Sequence, residues 1–144
     1  MMKFILREYA MSFIGKFYSW GGDDPSGFDC SGFVIELMKA VGKLPRRFDT
    51  TAHGLFRKFQ EWEVDSPKFG CLVFYWNKSE TRVVHVELCL NKELTIGASG
   101  GGSKTKTRLD AIRDNAFIKI RPVNYERGKV SFVNLFLDDE ESKS

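Results

Sequence analysis

The stretch "GGDDPSGFDCSGFV", residues 21–34, joins a glycine-rich loop to the start of an amphipathic segment. Beyond it, apolar residues recur every three or four positions until Gly42, so the spacing predicts a helix over residues 31–41. Asp29 is a residue type that caps helices. We therefore expect Cys30 at a helix N-terminus, where the partial positive charge of the backbone favours the reactive thiolate. The alternative is a cysteine that serves only as a small buried side chain.

The spacing of the apolar residues changes along the chain from helical to strand-like. Helical spacing predicts a first helix over residues 3–17 and a later one that Thr50 or Thr51 caps and that runs to about residue 61. Short β-rich runs follow, and a Thr-x-x-Asp start predicts one short helix between the last two. The β-rich runs are residues 70–76, 82–90, 94–99 and 117–122, and the short helix is 107–115. Helices followed by strands predict an α+β fold, with N-terminal helices packed on an antiparallel β-sheet.

Length and composition limit the classes of protein to consider. A chain of 144 residues fits one domain, 1–144, with a polar tail expected at about 138–144. The net charge of +3 and the scattered basic residues argue against nucleic-acid binding. Charged residues interrupt the apolar beginning, so we expect neither a signal peptide nor membrane insertion. We expect a monomer that is cytoplasmic as synthesised.

Cysteine and histidine usage gives no support for a metal site. The three cysteines and two histidines lack the short paired spacings of zinc ligands, so we expect no metal and no other cofactor. Cys71 and Cys89 stand among strand hydrophobes, which predicts burial as reduced thiols.

A nucleophilic cysteine needs a base within hydrogen-bonding reach, and only His53 and His85 are available as imidazoles. His85 lies in "RVVHVELCL", where it shares one strand face with Glu87 while valines and leucines take the other. A strand holds such a ring rigidly. His85 is therefore the expected base, and the interpretation of His53 as a surface or packing residue is slightly favoured.

Several motifs together resemble the NlpC/P60 family of cell-wall cysteine peptidases. They lie between about residues 18 and 99 and read "YSWGGDDPSGFDCSGFV", "LPR", "DTTAHGL", "FGCLVFYW" and "VVHVELCL". The resemblance implies a papain-like fold and cleavage of peptide or amide bonds in peptidoglycan stem peptides, often after a γ-linked D-glutamate. It implies Cys30 as the nucleophile and His85 as the base.

The same resemblance implies further groups around the thiol. Tyr18 would lie beside it and assist the backbone N–H of Cys30 in stabilising the oxyanion. Asp29 is expected to cap the helix or to meet a substrate amine, and Ser31 to bond either backbone or substrate. By resemblance Arg46 would contribute to substrate recognition, or else remain solvated.

The sequence departs from the family pattern behind the expected base. The family usually places His, Asn or Gln twelve residues after the catalytic histidine, but here that position is Gly97. Glu87, Ser99, or a backbone carbonyl or water could orient His85 instead. Two further departures are Cys71, where the family usually has aspartate, and His53, where it often has glutamine; His53 could also line the substrate groove.

The glycine-rich run "GASGGGSKTKT", residues 97–107, lacks the order of a phosphate-binding loop and predicts a flexible edge of the groove. Lys104, Lys106 and Arg108 would attract carboxylates of a peptide there, or simply be solvated.

We thus expect a cysteine hydrolase that acts on peptidoglycan peptides through a thioacyl intermediate. The alternatives are a catalytically weakened binding or structural module of the same fold, and a thiol acyltransferase. A phage-type single-domain enzyme, released at lysis or carried in a virion, would fit the expected absence of a signal peptide.

Overall fold

A computed structural model describes residues 2–19, 23–24, 27–102, 104–125 and 128–137. Its helices are α1 (Met2–Met11), α2 (Cys30–Ala40), α3 (Ala52–Phe59) and α4 (Arg108–Asp114), and a 3₁₀ turn (Gln60–Trp62) follows α3. Its strands are β1 (Asp23–Asp24), β2 (Gly27–Phe28), β3 (Glu63–Val64), β4 (Leu72–Trp76), β5 (Val83–Cys89), β6 (Leu94–Ser99), β7 (Phe117–Pro122) and β8 (Val130–Val133). The predicted polar tail, residues 138–144, lies outside the described residues, as do Trp20 and the pair Gly21-Gly22.

The predicted α+β fold is confirmed. Six strands form one sheet in the order β3-β8-β4-β5-β6-β7, and every neighbouring pair is antiparallel. Strands β1 and β2 form a separate short hairpin just before α2. Within the described residues, no helix is long and apolar enough to span a membrane.

The sheet is covered on one face by the helices. Phe33 and Leu37 of α2, Leu55 of α3, and Phe74 and Val86 of the sheet are all buried in this main core. A smaller buried cluster lies on the other face and contains Cys71, Val73, Tyr75 and Cys89. The predicted burial of Cys71 and Cys89 is confirmed, and both are free thiols.

The first helix is shorter than predicted. It ends at Met11 rather than continuing to Phe17. Gly15 has a φ of +89° and donates its backbone N–H to the carbonyl of Ile118, while Phe17 forms a bridge with Phe117 of β7. Backbone pairing with β7 therefore replaces the last turns of the helix, and apolar spacing alone could not reveal this.

Candidate active site

The N-terminus of α2 presents Cys30 as its first residue. Asp29 caps the helix, as predicted, because its carboxylate accepts a hydrogen bond from the backbone N–H of Gly32 at 2.7 Å. The hydroxyl of Ser31 donates to the same carboxylate at 3.4 Å. Cys30 is partly buried at this end of the helix. The helix is thus fixed with its N-terminal positive charge at the thiol.

His85 is brought to Cys30 by an irregularity in the sheet. Tyr75 pairs with His85 and Trp76 pairs with Val83, so Val84 is an extra residue on β5. Bulges of this kind re-aim the neighbouring side chains of a strand. His85 lies with Cys30 on the wall of one cleft, and 17% of its side chain is exposed. The structure therefore joins the two residues that the sequence predicted as nucleophile and base.

Glu87 lies directly behind the imidazole. Its side chain is completely buried, and its Oε2 is 2.6 Å from Nε2 of His85. Because Nε2 is engaged by the carboxylate, Nδ1 is the ring nitrogen left for the thiol. Ser99, the other side chain considered for this role, is buried, and its hydroxyl makes no hydrogen bond within the described residues.

Two residues that sequence reasoning missed hold the carboxylate in place. The hydroxyl of Thr95 donates to Oε1 of Glu87 at 2.6 Å, and Nη2 of Arg121 donates to Oε2 at 2.9 Å. Arg121 also lies over the ring of Tyr125, with its guanidinium carbon 3.4 Å from the ring centroid. The sequence does not single them out, because Arg121 follows Lys119 at the alternating polar positions of β7.

The electrostatics favour a charged His85. Burial alone would disfavour the imidazolium, but hydrogen bonds to Cys30 and Glu87 outweigh it and raise the pKa of His85 from 6.5 to about 9. Burial likewise opposes the ionised form of Glu87, but hydrogen bonds from His85, Thr95 and Arg121 hold the pKa of this carboxyl below its ordinary value. A charged imidazolium against the carboxylate of Glu87 is therefore the stable state near neutral pH.

Tyr18 lies on the wall of the same cleft as Cys30. Its side chain is buried, and burial together with the nearby Cys30 and Asp29 raises the pKa of its phenol. A side chain at Gly101 would overlap the ring of Tyr18. The glycine-rich segment thus lies against the ring that borders the thiol, as expected for a groove-edge loop.

An open cleft of about 680 Å³ runs past Cys30 and His85. His53 also lines it, and Nδ1 of His53 accepts the backbone N–H of Val83 at 3.0 Å. Nδ1 is therefore unprotonated, and the proton of the neutral ring resides on Nε2 as a donor. Arg46, by contrast, is exposed between α2 and α3 and does not line the cleft.

Of the three basic residues expected to attract a peptide, only Lys106 and Arg108 line a cavity. Lys106 and Arg108 border a second cavity of about 580 Å³, and Tyr18 lines both this cavity and the main cleft. The guanidinium of Arg108 lies over the ring of Phe17, 4.8 Å from its centroid. Lys104 is exposed and lines neither cavity.

Comparisons with known proteins show which sequences this chain resembles. The model of the NlpC/P60 family matches residues 15–121. A "Probable endopeptidase p60" of Listeria welshimeri is 33% identical over 96 residues, 66% of this chain. The "Bifunctional muramidase/DL-endopeptidase CwlT" of Bacillus subtilis is 30% identical over 100 residues, 68% of this chain. The chain spans only 17% and 29% of the length of these two relatives.

Solved structures show the same fold. The NlpC/P60 domain of the peptidoglycan hydrolase SagA superposes with a TM-score of 0.62 at 23% identity, covering 88% of this chain and 93% of that domain. An NlpC/P60 family protein from Bacillus cereus superposes with a TM-score of 0.64 at 25% identity, covering 83% of this chain and 34% of the other.

Proposed function

Because the chain belongs to the NlpC/P60 family, we propose that it is a cysteine peptidase that cleaves peptide or amide bonds in peptidoglycan stem peptides. The observation that carries the proposal is the meeting in one cleft of Cys30, at a capped helix N-terminus, and His85, whose pKa is raised to about 9. The pair lies in an open cleft large enough for a peptide. The relatives named as an endopeptidase and a DL-endopeptidase support this class of substrate.

In the proposed reaction, the thiolate of Cys30 attacks the carbonyl carbon of the scissile bond. The negative charge that develops on the carbonyl oxygen is stabilised by the backbone N–H of Cys30 and by the hydroxyl of Tyr18. The raised pKa of Tyr18 keeps this hydroxyl protonated and able to donate. His85 then gives its proton to the leaving amine, and the C–N bond breaks to leave a thioester on Cys30.

Hydrolysis of the thioester completes the cycle. Neutral His85 takes a proton from water, and the resulting hydroxide attacks the thioester carbonyl. The C–S bond breaks, the carboxylic acid is released, and the thiolate and the imidazolium are restored together.

The opposite wall of the cleft offers a donor to the substrate. His53 is locked with its proton on Nε2 by the backbone N–H of Val83. A carbonyl or carboxylate of the stem peptide would accept from it. The interpretation of His53 as a groove residue therefore gains support over that of a surface or packing residue.

The alternative of a catalytically weakened module rested on the empty position behind His85. The carboxylate of Glu87 on Nε2 of His85 removes that motivation. Acyl transfer remains distinguishable by experiment, because a transferase would join the acyl group to an added amine in preference to water.

The test is to incubate purified protein with peptidoglycan of several stem compositions and to identify the products by mass spectrometry, with Cys30→Ala as the matched control. We expect new N- and C-termini within the stem peptide with the unaltered protein and none with Cys30→Ala. Failure to cleave any of these peptidoglycans would refute the peptidase proposal, and so would equal cleavage by the variant.

A further inference from the structure

Gly97 and Glu87 compete for the same space. A Cβ atom built on Gly97 of β6 would lie 2.5 Å from Cγ and 2.8 Å from Cδ of Glu87. Such distances are well inside van der Waals contact. The Glu87 side chain can therefore adopt its observed position only when residue 97 has no side chain.

The carboxylate that fills this space is held by partners on three strands. It is fully buried and is bonded by His85 from β5, Thr95 from β6 and Arg121 from β7. A buried charge without partners would be strongly destabilising, whereas here each oxygen accepts at least one strong hydrogen bond. The carboxylate thus has a fixed place and direction against Nε2 of His85.

We propose that Glu87 is the positioning residue of His85, that the glycine at position 97 is the condition for this role, and that the carboxylate sustains the imidazolium paired with Cys30. The proposal rests on the proposed function only in so far as Cys30 is the nucleophile. It deepens that function by assigning an anionic group behind the base, supplied by the same strand as the base.

A purely structural ion pair between Glu87 and Arg121 is the competing explanation. If this explanation held, the pKa of His85 would not depend on the charge of the side chain at position 87. The 2.6 Å contact to Nε2 argues against this, since a charge-assisted hydrogen bond stabilises the protonated ring. The two explanations therefore differ in how Cys30 reactivity depends on pH.

Other ionisable groups also face this pair. Cys30 faces His85 from α2, and the rings of Tyr75 and Tyr125 lie 5.7 and 6.5 Å from its ring. Glu87 interacts electrostatically with Lys119 and Arg121 of β7 and with Cys89 of β5. Lys119 also interacts with Arg121. The cationic partners disfavour a charged imidazole, so the carboxylate is the group expected to sustain it against them.

The experiment measures the rate at which iodoacetamide alkylates Cys30 between pH 5 and 10. Cys71 and Cys89 are completely buried, so Cys30 is the accessible thiol of the folded protein. The variant is Glu87→Gln, and Glu93→Gln, the same change on an exposed loop carboxyl, is the control. Glu87→Gln is expected to slow alkylation several-fold between about pH 8 and 9, because lowering the pKa of His85 by about one unit from its value near 9 removes most of the imidazolium in that range.

Toward pH 10 the imidazole is largely neutral in both proteins, so the rates of the two proteins should converge there. Glu93→Gln should follow the unaltered protein at every pH. Equal profiles for Glu87→Gln and the unaltered protein would overturn the proposal. Alkylation requires no peptide substrate, so a protein that cleaves no peptidoglycan can still pass or fail this test.

A second pair of variants decides the matter if Glu87→Gln does not fold. Glu87→Ala with Gly97→Asp returns a carboxylate from the opposite strand into the emptied space and keeps a charge beside Arg121. Glu87→Ala with Gly97→Asn has nearly the same shape without the charge. We expect the Asp form to alkylate several-fold faster than the Asn form between about pH 8 and 9, and equal rates would refute the proposal.

Discussion

Replacing Gly97 by alanine is expected to destabilise the protein and to impair its chemistry together. The added methyl group would lie 2.5 Å from Cγ of Glu87, so the carboxylate must leave its position. Overpacking of this kind costs about 1–3 kcal/mol. Displacement from Thr95, His85 and Arg121 also disrupts hydrogen bonds that contribute about 1.5–3 kcal/mol each when charged. Since partial relaxation recovers some of this, we expect a loss of roughly 2–4 kcal/mol.

Urea unfolding followed by circular dichroism measures this loss. With a slope of about 1–3 kcal/mol per molar urea, the midpoint should fall by about 1 M or more. Gly102→Ala is the matched control, because a Cβ there meets no atom within 4 Å. It should leave the midpoint unchanged or raise it slightly, since alanine restricts the unfolded chain.

The alkylation rate of Cys30 between about pH 8 and 9 should fall in the Gly97→Ala variant as well. If Gly97→Ala unfolded at the same urea concentration as the unaltered protein and kept its alkylation rate, the carboxylate would not be confined as described. That result would refute the reasoning, because a side chain at position 97 would then leave the contact between Glu87 and His85 unchanged.

Three further predictions follow from the same site. Asp29→Ala should cost about 1 kcal/mol in urea unfolding through loss of the helix cap, while Asp29→Asn should cost much less. Gly101→Ala should displace the ring of Tyr18 and lower kcat on a stem peptide with little change in KM, and an unaltered kcat would contradict its place in the oxyanion site. Thermal unfolding should show stability falling as the pH drops below about 4.5, because Glu87, with its lowered pKa, becomes protonated there. Stability should also fall as the pH rises from about 6.5 to 9, because His85, with its raised pKa, loses its proton over this range. A constant Tm over both ranges would exclude the coupled pair.

The sequence predicted the main elements of the fold because their signals are local. The helix that begins at Cys30 and the strand that carries His85 both follow from the spacing of apolar residues and from a capping residue. The α+β arrangement follows from their order along the chain. Strand β8, in contrast, is not among the predicted strands, because its four residues carry too little pattern to place them between β3 and β4.

The sequence limits the side chains that could orient the imidazole of His85 to a few candidates, but it does not decide among them. The alternation of side chains along a strand allows either Glu87 or Ser99 to face the imidazole. The choice between them requires the register of β5 against β6. Thr95 and Arg121 could not be found at all, because their role arises from cross-strand neighbours distant in sequence. The absence of a side chain at Gly97 was visible, but its meaning depends on the Cβ distance to Glu87.

The most direct test of the central claim is the ionisation of His85, followed by nitrogen-15 NMR of the imidazole rings from pH 5 to 10. The protein has only two histidines, so a His53→Gln variant assigns the signals. The account predicts that His85 remains protonated through neutral pH and titrates near pH 9, and that Glu87→Gln lowers this pKa by about one unit or more. Titration of His85 at or below pH 6.5 in the unaltered protein would contradict it.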